Sequence, residues 1–470
     1  MIPLHRPRYL LISVFLLLLS GYILAPFPLR AAETEVHALD TALQLEPEAA
    51  PWFHDAVLYQ IFPRIYGDGT LRAVTENLEA IRDLGVNTIY LMPVHEIGRV
   101  RRIGALGSPY SIRDHYSVAP ELGTVDDLRT LVDRAHALGL RVLMDLVPNH
   151  TSYDNPLVTE APSWYRLGPD GVPLPPVPEW RDVAQLDYSV PEVRAYMLDV
   201  ARYWLRTAGI DGYRIDASVY VPFSFWLEFY PAIKAEFPDA FLLSESGESW
   251  LLTAFDSQYD WEFEGVLGRV LRGQSALLLR EHLGKLAASK RPKLIYLENH
   301  DHPRWLARYD RDSAPAAALV LLTAPAIPML YAGQELGATH RPSLFDPDRL
   351  VTPNDRELYD IYRDLLHLRA IRPELSRGEY TAVDTSERDA VLAYLRGPYG
   401  DLDRAILVVV NLRGRAVEAA LDLGPWVATA ALWQSGGAAV ECRSEQCTAS
   451  LPAYGGAVYE VRLVRQGSAG

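Results

Sequence analysis

From Asp55 to about Arg372, short apolar runs alternate with amphipathic stretches, and this alternation constrains the fold more than any other feature of the chain. Val57–Phe62 reads as a first strand. The amphipathic stretch Leu78–Leu84, stopped by Gly85, leads to a second at Thr88–Met92. A helix over Asp126–Leu138, stopped by Gly139, leads to a third at Arg141–Leu146. Glycine just past the last periodic residue is a helix stop, because it adopts the left-handed conformation at little cost. Further strands fit at Gly212–Ile215, Phe241–Ser244, Lys293–Leu297 and Ile327–Tyr331, with a weakly marked one near Ser257–Tyr259. Strands alternating with helical patterns form parallel βαβ units. Eight of them in line predict an α/β fold, a closed (β/α)8 barrel of the TIM type, over residues 50–373.

Two departures from the alternation mark appended parts. Residues 150–193, after the third strand, are rich in Pro, Gly and aromatic side chains, including Trp164, Tyr165 and Trp180. Loops of this length inside a compact domain usually carry function. Beyond Leu375 the pattern turns to short β-type runs such as Ala390–Leu395 and Ala405–Val410, predicting a C-terminal antiparallel β-sandwich domain over 374–465. Its two cysteines, Cys442 and Cys447, lack the companions of a zinc site or a catalytic thiol. They are a candidate disulfide if the chain is exported. Export is expected from the first 32 residues: Arg6 and Arg8 precede an apolar run, Tyr9–Ala25, the pattern of a signal peptide. The run is also long enough to stay as a membrane anchor.

A net charge of −15 disfavours nucleic acid as a partner. The candidate chemistry lies at the strand ends, since a barrel builds its active face from the loops that follow its strands. Four strands end in polar groups: Asp145 with Asn149 and His150, Arg214 with Asp216, Glu245, and Glu298-Asn299-His300-Asp301. One carboxylate in such a place is commonly a helix cap; four strands ending alike are not explained by capping. Paired carboxylates suit retaining glycoside hydrolysis, which needs a nucleophile and an acid about 5–5.5 Å apart. Arg214 and Asp216, two apart on a strand, point the same way, so the guanidinium can hold Asp216 ionised. Glu245 follows Phe241-Leu242-Leu243-Ser244, an apolar setting that can keep it protonated. Asp301, beside His300, can bind sugar hydroxyls.

These stretches resemble the α-amylase family of glycoside hydrolases (glycoside hydrolase family thirteen). Asp145-Leu146-Val147-Pro148-Asn149-His150 is similar to its first motif, Gly212-Tyr213-Arg214-Ile215-Asp216 to its second, Leu243-Ser244-Glu245 to its third and Glu298-Asn299-His300-Asp301 to its fourth. Ser108–Tyr116, Leu186-Asp187-Tyr188 and Pro325–Glu335 resemble further family stretches. The resemblance implies Asp216 as nucleophile, Glu245 as general acid/base and Asp301 as transition-state stabiliser. It also implies that Tyr110, His150, Arg214 and His300 hold or orient the reacting sugar, that Asp145 and Asn149 give structural support, and that 150–193 is a short domain B. The implied substrate is a starch-type α-glucan or malto-oligosaccharide, and no cofactor is required. Where many members have Lys-His after the nucleophile, this chain has Val219 and Tyr220. That puts in question the family's contacts on the leaving-group side and its structural calcium, for which Asn149 is the one matched ligand.

Two alternatives stay open beside a hydrolase. One is a transglycosylase or isomerase of the same family, in which sugar replaces water as acceptor. The other is a non-catalytic, membrane-anchored barrel acting as a partner subunit, which would have no need of Asp216, Glu245 and Asp301 together. Oligomeric state, and endo or exo action, are left open at this point.

Overall fold

The computed structural model describes residues 52–400, 403–443 and 446–463. The apolar run at 9–25 and the export expected from it lie outside the described residues. Among those described, no helix is long and apolar enough to cross a membrane.

Eight parallel strands close a barrel: β1 (Leu58–Ile61), β2 (Thr88–Leu91), β3 (Arg141–Leu146), β4 (Gly212–Ile215), β5 (Phe241–Ser244), β6 (Ser257–Tyr259), β7 (Lys293–Tyr296) and β8 (Ile327–Tyr331). Each pairs with its neighbours in sequence, and β1 closes the ring on β8. Their side chains sort by parity, as a two-residue period requires. Leu58, Tyr90, Leu143, Phe241, Leu243, Tyr259, Leu294 and Tyr296 pack in the barrel interior. Their immediate neighbours Tyr59, Ile89, Met144, Leu242 and Ile295 pack outward in the cluster that joins the helices. At Gly212 an added Cβ would lie 2.1 Å from the carbonyl oxygen of Phe241, so β4 and β5 meet there only because the side chain is absent. Trp52 packs edge-on against Phe241 at 5.8 Å and Phe53 stacks on it at 4.8 Å, covering that end of the barrel.

The 150–193 insertion is built on a small hairpin, His150–Ser152 with Val183–Gln185. Tyr165 is buried in it, with its hydroxyl 2.9 Å from Thr151 Oγ1, and Trp164 packs on Tyr196.

The C-terminal strands are β9 (Tyr380–Ala382), β10 (Asp384–Thr385), β11 (Val391–Arg396), β12 (Arg404–Asn411), β13 (Val417–Asp422), β14 (Trp426–Gln434), β15 (Ala439–Arg443), β16 (Gln446–Leu451) and β17 (Gly456–Leu463). They form a five-stranded sheet, β9-β11-β12-β17-β14, and a four-stranded one, β10-β13-β16-β15. One face of the larger sheet (Ala393, Leu395, Leu407, Val409) meets the smaller sheet. The other (Leu392, Tyr394, Ile406, Val408) joins the barrel's own core. That is why β11 and β12 are almost continuously apolar. The Ala314–Thr323 helix lies under this second face and is buried all round, which explains its lack of a polar stripe. Cys442 and Cys447, opposite each other on β15 and β16, are disulfide-bonded.

Candidate active site

Strand parity aims one set of polar side chains at the mouth of the barrel. Gln60, Tyr90, Asp145, Arg214, Asp216, Glu245, Tyr259 and Tyr296 share the parity of the interior residues of their own strands, at or just past the strand ends. At the centre is Arg214, almost wholly buried. Its Nη1 donates to Asp145 Oδ1 at 2.7 Å and to Asp216 Oδ1 at 2.9 Å, and its Nη2 is paired with Glu245 Oε1. One guanidinium therefore serves three carboxyl groups. The sequence spacing predicts that it holds Asp216 ionised and oriented. Here burial outweighs Arg214, and the Asp216 carboxyl is pushed above the usual carboxylate range.

The same burial, reinforced by the charges of Asp216 and Asp301, pushes Glu245 up as well. Two interacting carboxyls titrate as a pair, and burial favours a proton retained between them. Asp145, completely enclosed, is pushed up to about 6 by burial despite Arg214 and the Tyr90 hydroxyl that donates to it at 2.9 Å.

The loop after β4 turns sharply at Ala217, whose φ of 46° is left-handed for a residue with a Cβ. That turn points the Ala217 amide at Glu245 Oε2, 2.8 Å away. Such a conformation costs on the order of 1–3 kcal/mol and persists where surrounding structure holds it.

A hydrogen-bond chain crosses the site from β1. Gln60 Nε2 donates to His300 Nδ1 at 2.8 Å; burial holds His300 neutral, lowering it to about 4. Its remaining proton is then on Nε2, which lies 2.8 Å from the Tyr110 hydroxyl and 3.2 Å from Asp301 Oδ2. Tyr110 in turn donates to Asp145 Oδ2 at 3.2 Å and stacks on His300 at 5.6 Å. Asp301 differs from the other carboxylates: its side chain is 48% exposed. Its amide donates to Asn299 Oδ1 and its carbonyl accepts from Arg341 in the loop after β8. His150, lowered to about 4 by burial, packs edge-on against Trp180 at 5.8 Å.

The structure thus gathers Tyr110, Asp145, His150, Arg214, Asp216, Glu245, His300 and Asp301 at one end of the barrel. Glu248, a competing acid three residues after Glu245, is exposed beyond the strand end. Glu298 is buried in an ion pair with Arg304 at 2.7 Å. Asn149 turns its amide nitrogen to His150 Nδ1 at 3.3 Å, and Tyr220 packs its ring on Trp180. Among the described residues no three His, Cys, Asp or Glu side chains converge as a metal cluster.

Gln60, Tyr90, Tyr259, Trp261 and Tyr296 escaped the sequence reading. Gln60 carried a signal, as a lone amide inside the apolar run Leu58–Phe62. The aromatic residues carried none, because a tyrosine that lines a site and one that fills a core read alike.

The chain matches the family model described as alpha amylase, catalytic domain, over residues 49–165, 179–250 and 271–378, together more than half of its length. It is 26% identical over 417 residues to alpha-amylase 2 of Dictyoglomus thermophilum, which covers 78% of this chain and 71% of that one. A cyclomaltodextrinase of Geobacillus thermopakistaniensis is 26% identical over 478 residues, covering 88% and 78%. Among solved structures, the noncanonic maltogenic alpha-amylase AmyB of Thermotoga neapolitana superposes with a TM-score of 0.80 at 29% identity, covering 87% of this chain and 99% of that one.

Proposed function

Because the chain belongs to the alpha-amylase family of glycoside hydrolases, we propose that it cleaves α-1,4-glucosidic bonds of starch-type glucans or malto-oligosaccharides with retention of configuration. Asp216 attacks the anomeric carbon while Glu245 gives its proton to the departing oxygen, leaving a glucosyl ester on Asp216. Glu245, now ionised, takes a proton from water, and the resulting attack on the same carbon releases the sugar and restores both carboxyls. Asp301, the exposed carboxylate, stabilises the positive charge that develops on the ring. His300, held neutral by burial, lines the place of the reacting sugar with Tyr110 and His150.

The observation that carries this reading is the single guanidinium touching both Asp216 and Glu245. It favours the short separation of a double displacement, about 5–5.5 Å, over the roughly 6.5–9.5 Å that leaves room for an inverting water. Both carboxyls are raised by burial and share one counter-charge, so the pair can hold one proton while its other member is ionised, the state a double displacement needs.

Following maltoheptaose cleavage by NMR over the first minutes tests it. Shorter malto-oligosaccharides appearing first as α-anomers are expected; first-formed β-anomers refute retention, and no cleavage refutes the hydrolase reading. The division into a barrel over 50–373 with its insertion at 150–193 and a β-domain over 374–465 is part of the proposal. So is export directed by residues 1–32, which fractionation of cells carrying the full chain would check.

A further inference from the structure

Two exposed aromatic side chains flank Glu245, and the reaction as described uses neither. The barrel order sets them on opposite sides, because β5, which ends in Glu245, lies between β4 and β6. Tyr220 belongs to the loop after β4, and this loop is fastened to the end of β5. The Ala217 amide donates to Glu245, and the hydroxyls of Ser218 and Ser244 are 2.7 Å apart. Tyr220 is 42% exposed, and its ring packs edge-on against Trp180 at 5.4 Å. Trp180 continues to His150, so this wall runs from the proton donor to the residues around the reacting sugar.

On the other side Trp261 follows β6 and is 40% exposed. Its indole rests on the backbone just past Glu245: a Cβ added to Gly247 would lie 2.7 Å from Cδ1 of Trp261. It also packs on Tyr259 at 5.0 Å and edge-on against Tyr296 at 6.3 Å. Next to this cluster are polar atoms with nothing to bond. The hydroxyl of Tyr296, a side chain only 1% exposed, and Nδ1 of His302 are buried without hydrogen-bond partners. A buried donor or acceptor left unmade costs about 1–3 kcal/mol, so both atoms favour a ligand that brings hydroxyls.

A general acid must face the oxygen that leaves, so whatever flanks Glu245 on its open side faces the leaving group. Apolar walls with hydrogen-bonding atoms at their base match a pyranose ring, which presents C–H faces and a rim of hydroxyls. We infer that Tyr220 and Trp261 form the leaving-group subsite of this enzyme, gripping one hexopyranosyl ring between aromatic walls with the Tyr296 hydroxyl and His302 Nδ1 beneath it. The inference rests on the proposed hydrolase reading and adds the residues that choose the departing, and equally the accepting, sugar.

The test compares maltotriose, whose leaving group is a sugar, with α-maltosyl fluoride, whose leaving group has no ring. Tyr220→Ala and Trp261→Ala are each expected to lower kcat/KM on maltotriose about tenfold. The fall on the fluoride should be at least fivefold smaller, and Trp261→Phe should recover most of the loss. Equal loss on both substrates, or no loss on maltotriose, removes the subsite and leaves the hydrolase reading standing. Wild-type protein inert towards both substrates removes the hydrolase reading and the subsite with it.

Discussion

Replacing Arg214 by methionine keeps most of the side chain's length and removes its charge and its donors. Three carboxyl groups lose their shared partner at once: Asp145, Asp216 and Glu245. In each of them Arg214 is the strongest influence opposing the effect of burial. A hydrogen bond to a charged group is worth ~1.5–3 kcal/mol, which corresponds to a rise of about 1–2 pH units in the carboxyl that loses it. Asp216 attacks only when ionised. The acid limb of kcat/KM should therefore move up by about 1–2 units, with the alkaline limb following as Glu245 rises too. Near pH 6 this alone lowers the reactive fraction roughly 10–100-fold.

Stability should follow the same sign. Carboxyls whose folded pKa is raised stabilise the fold while protonated and lose that contribution as pH rises through the folded value. A buried carboxylate stripped of its partner costs about 3–5 kcal/mol. The gap between wild type and Arg214→Met should thus be wide at pH 8 and narrower at pH 5. The assay is a pH–rate profile on a chromogenic maltotrioside from pH 4.5 to 9, with denaturant melts at the two pH values. A profile lowered evenly, with both limbs within about 0.3 units of wild type, would show that Arg214 only positions its neighbours, and would refute the electrostatic argument.

Glu245→Gln should lose roughly 10²–10⁴-fold on maltotriose, far less on substrates with activated leaving groups, and should lose the alkaline limb of its profile. Equal losses on both substrates would argue against the acid role. Glu335, buried against the Tyr59 hydroxyl at 2.9 Å, is pushed up to about 7 by burial. Its folded value is raised, so its contribution is complete below about 4.5 and lost as pH rises through about 7. The stability of wild type relative to Glu335→Gln should therefore fall by about 3 kcal/mol between pH 4.5 and 8. Urea melts across that range check it, and a constant difference would contradict it.

The barrel was legible because its strands follow a strict logic: apolar residues on both parities, then a polar group at the end where the chain leaves the core. Leu143 then Asp145, and Leu243 then Glu245, follow that rule, and the two carboxyls share Arg214 at the barrel mouth. The β6 strand was hard to read because Ser257 and Gln258 are polar yet fully buried, with Gln258 donating to the Gly247 carbonyl at 3.2 Å. Its partner lies eleven residues away, and nothing local announces it. The continuous apolar runs of β11 and β12 became intelligible only once both of their faces were seen to be covered. At the site, the carboxyls and histidines stood out by residue type, whereas their electrostatics did not. The Asp–x–x–x spacing after β4 says nothing of a left-handed Ala217, and the Arg214–Asp216 spacing says nothing of a guanidinium shared with Glu245 and Asp145. Those features depend on which strands become neighbours in the closed barrel.

Retention by double displacement requires a covalent sugar ester on Asp216. Intact-protein mass spectrometry, after incubation with a 5-fluoro-α-glucosyl fluoride that slows the second step, tests it most directly. One added fluoroglucosyl group is expected, mapped by peptide analysis to the segment containing Asp216 and absent in Asp216→Asn. Turnover of malto-oligosaccharides by a protein that never acquires the adduct, or an adduct on another residue, would contradict it.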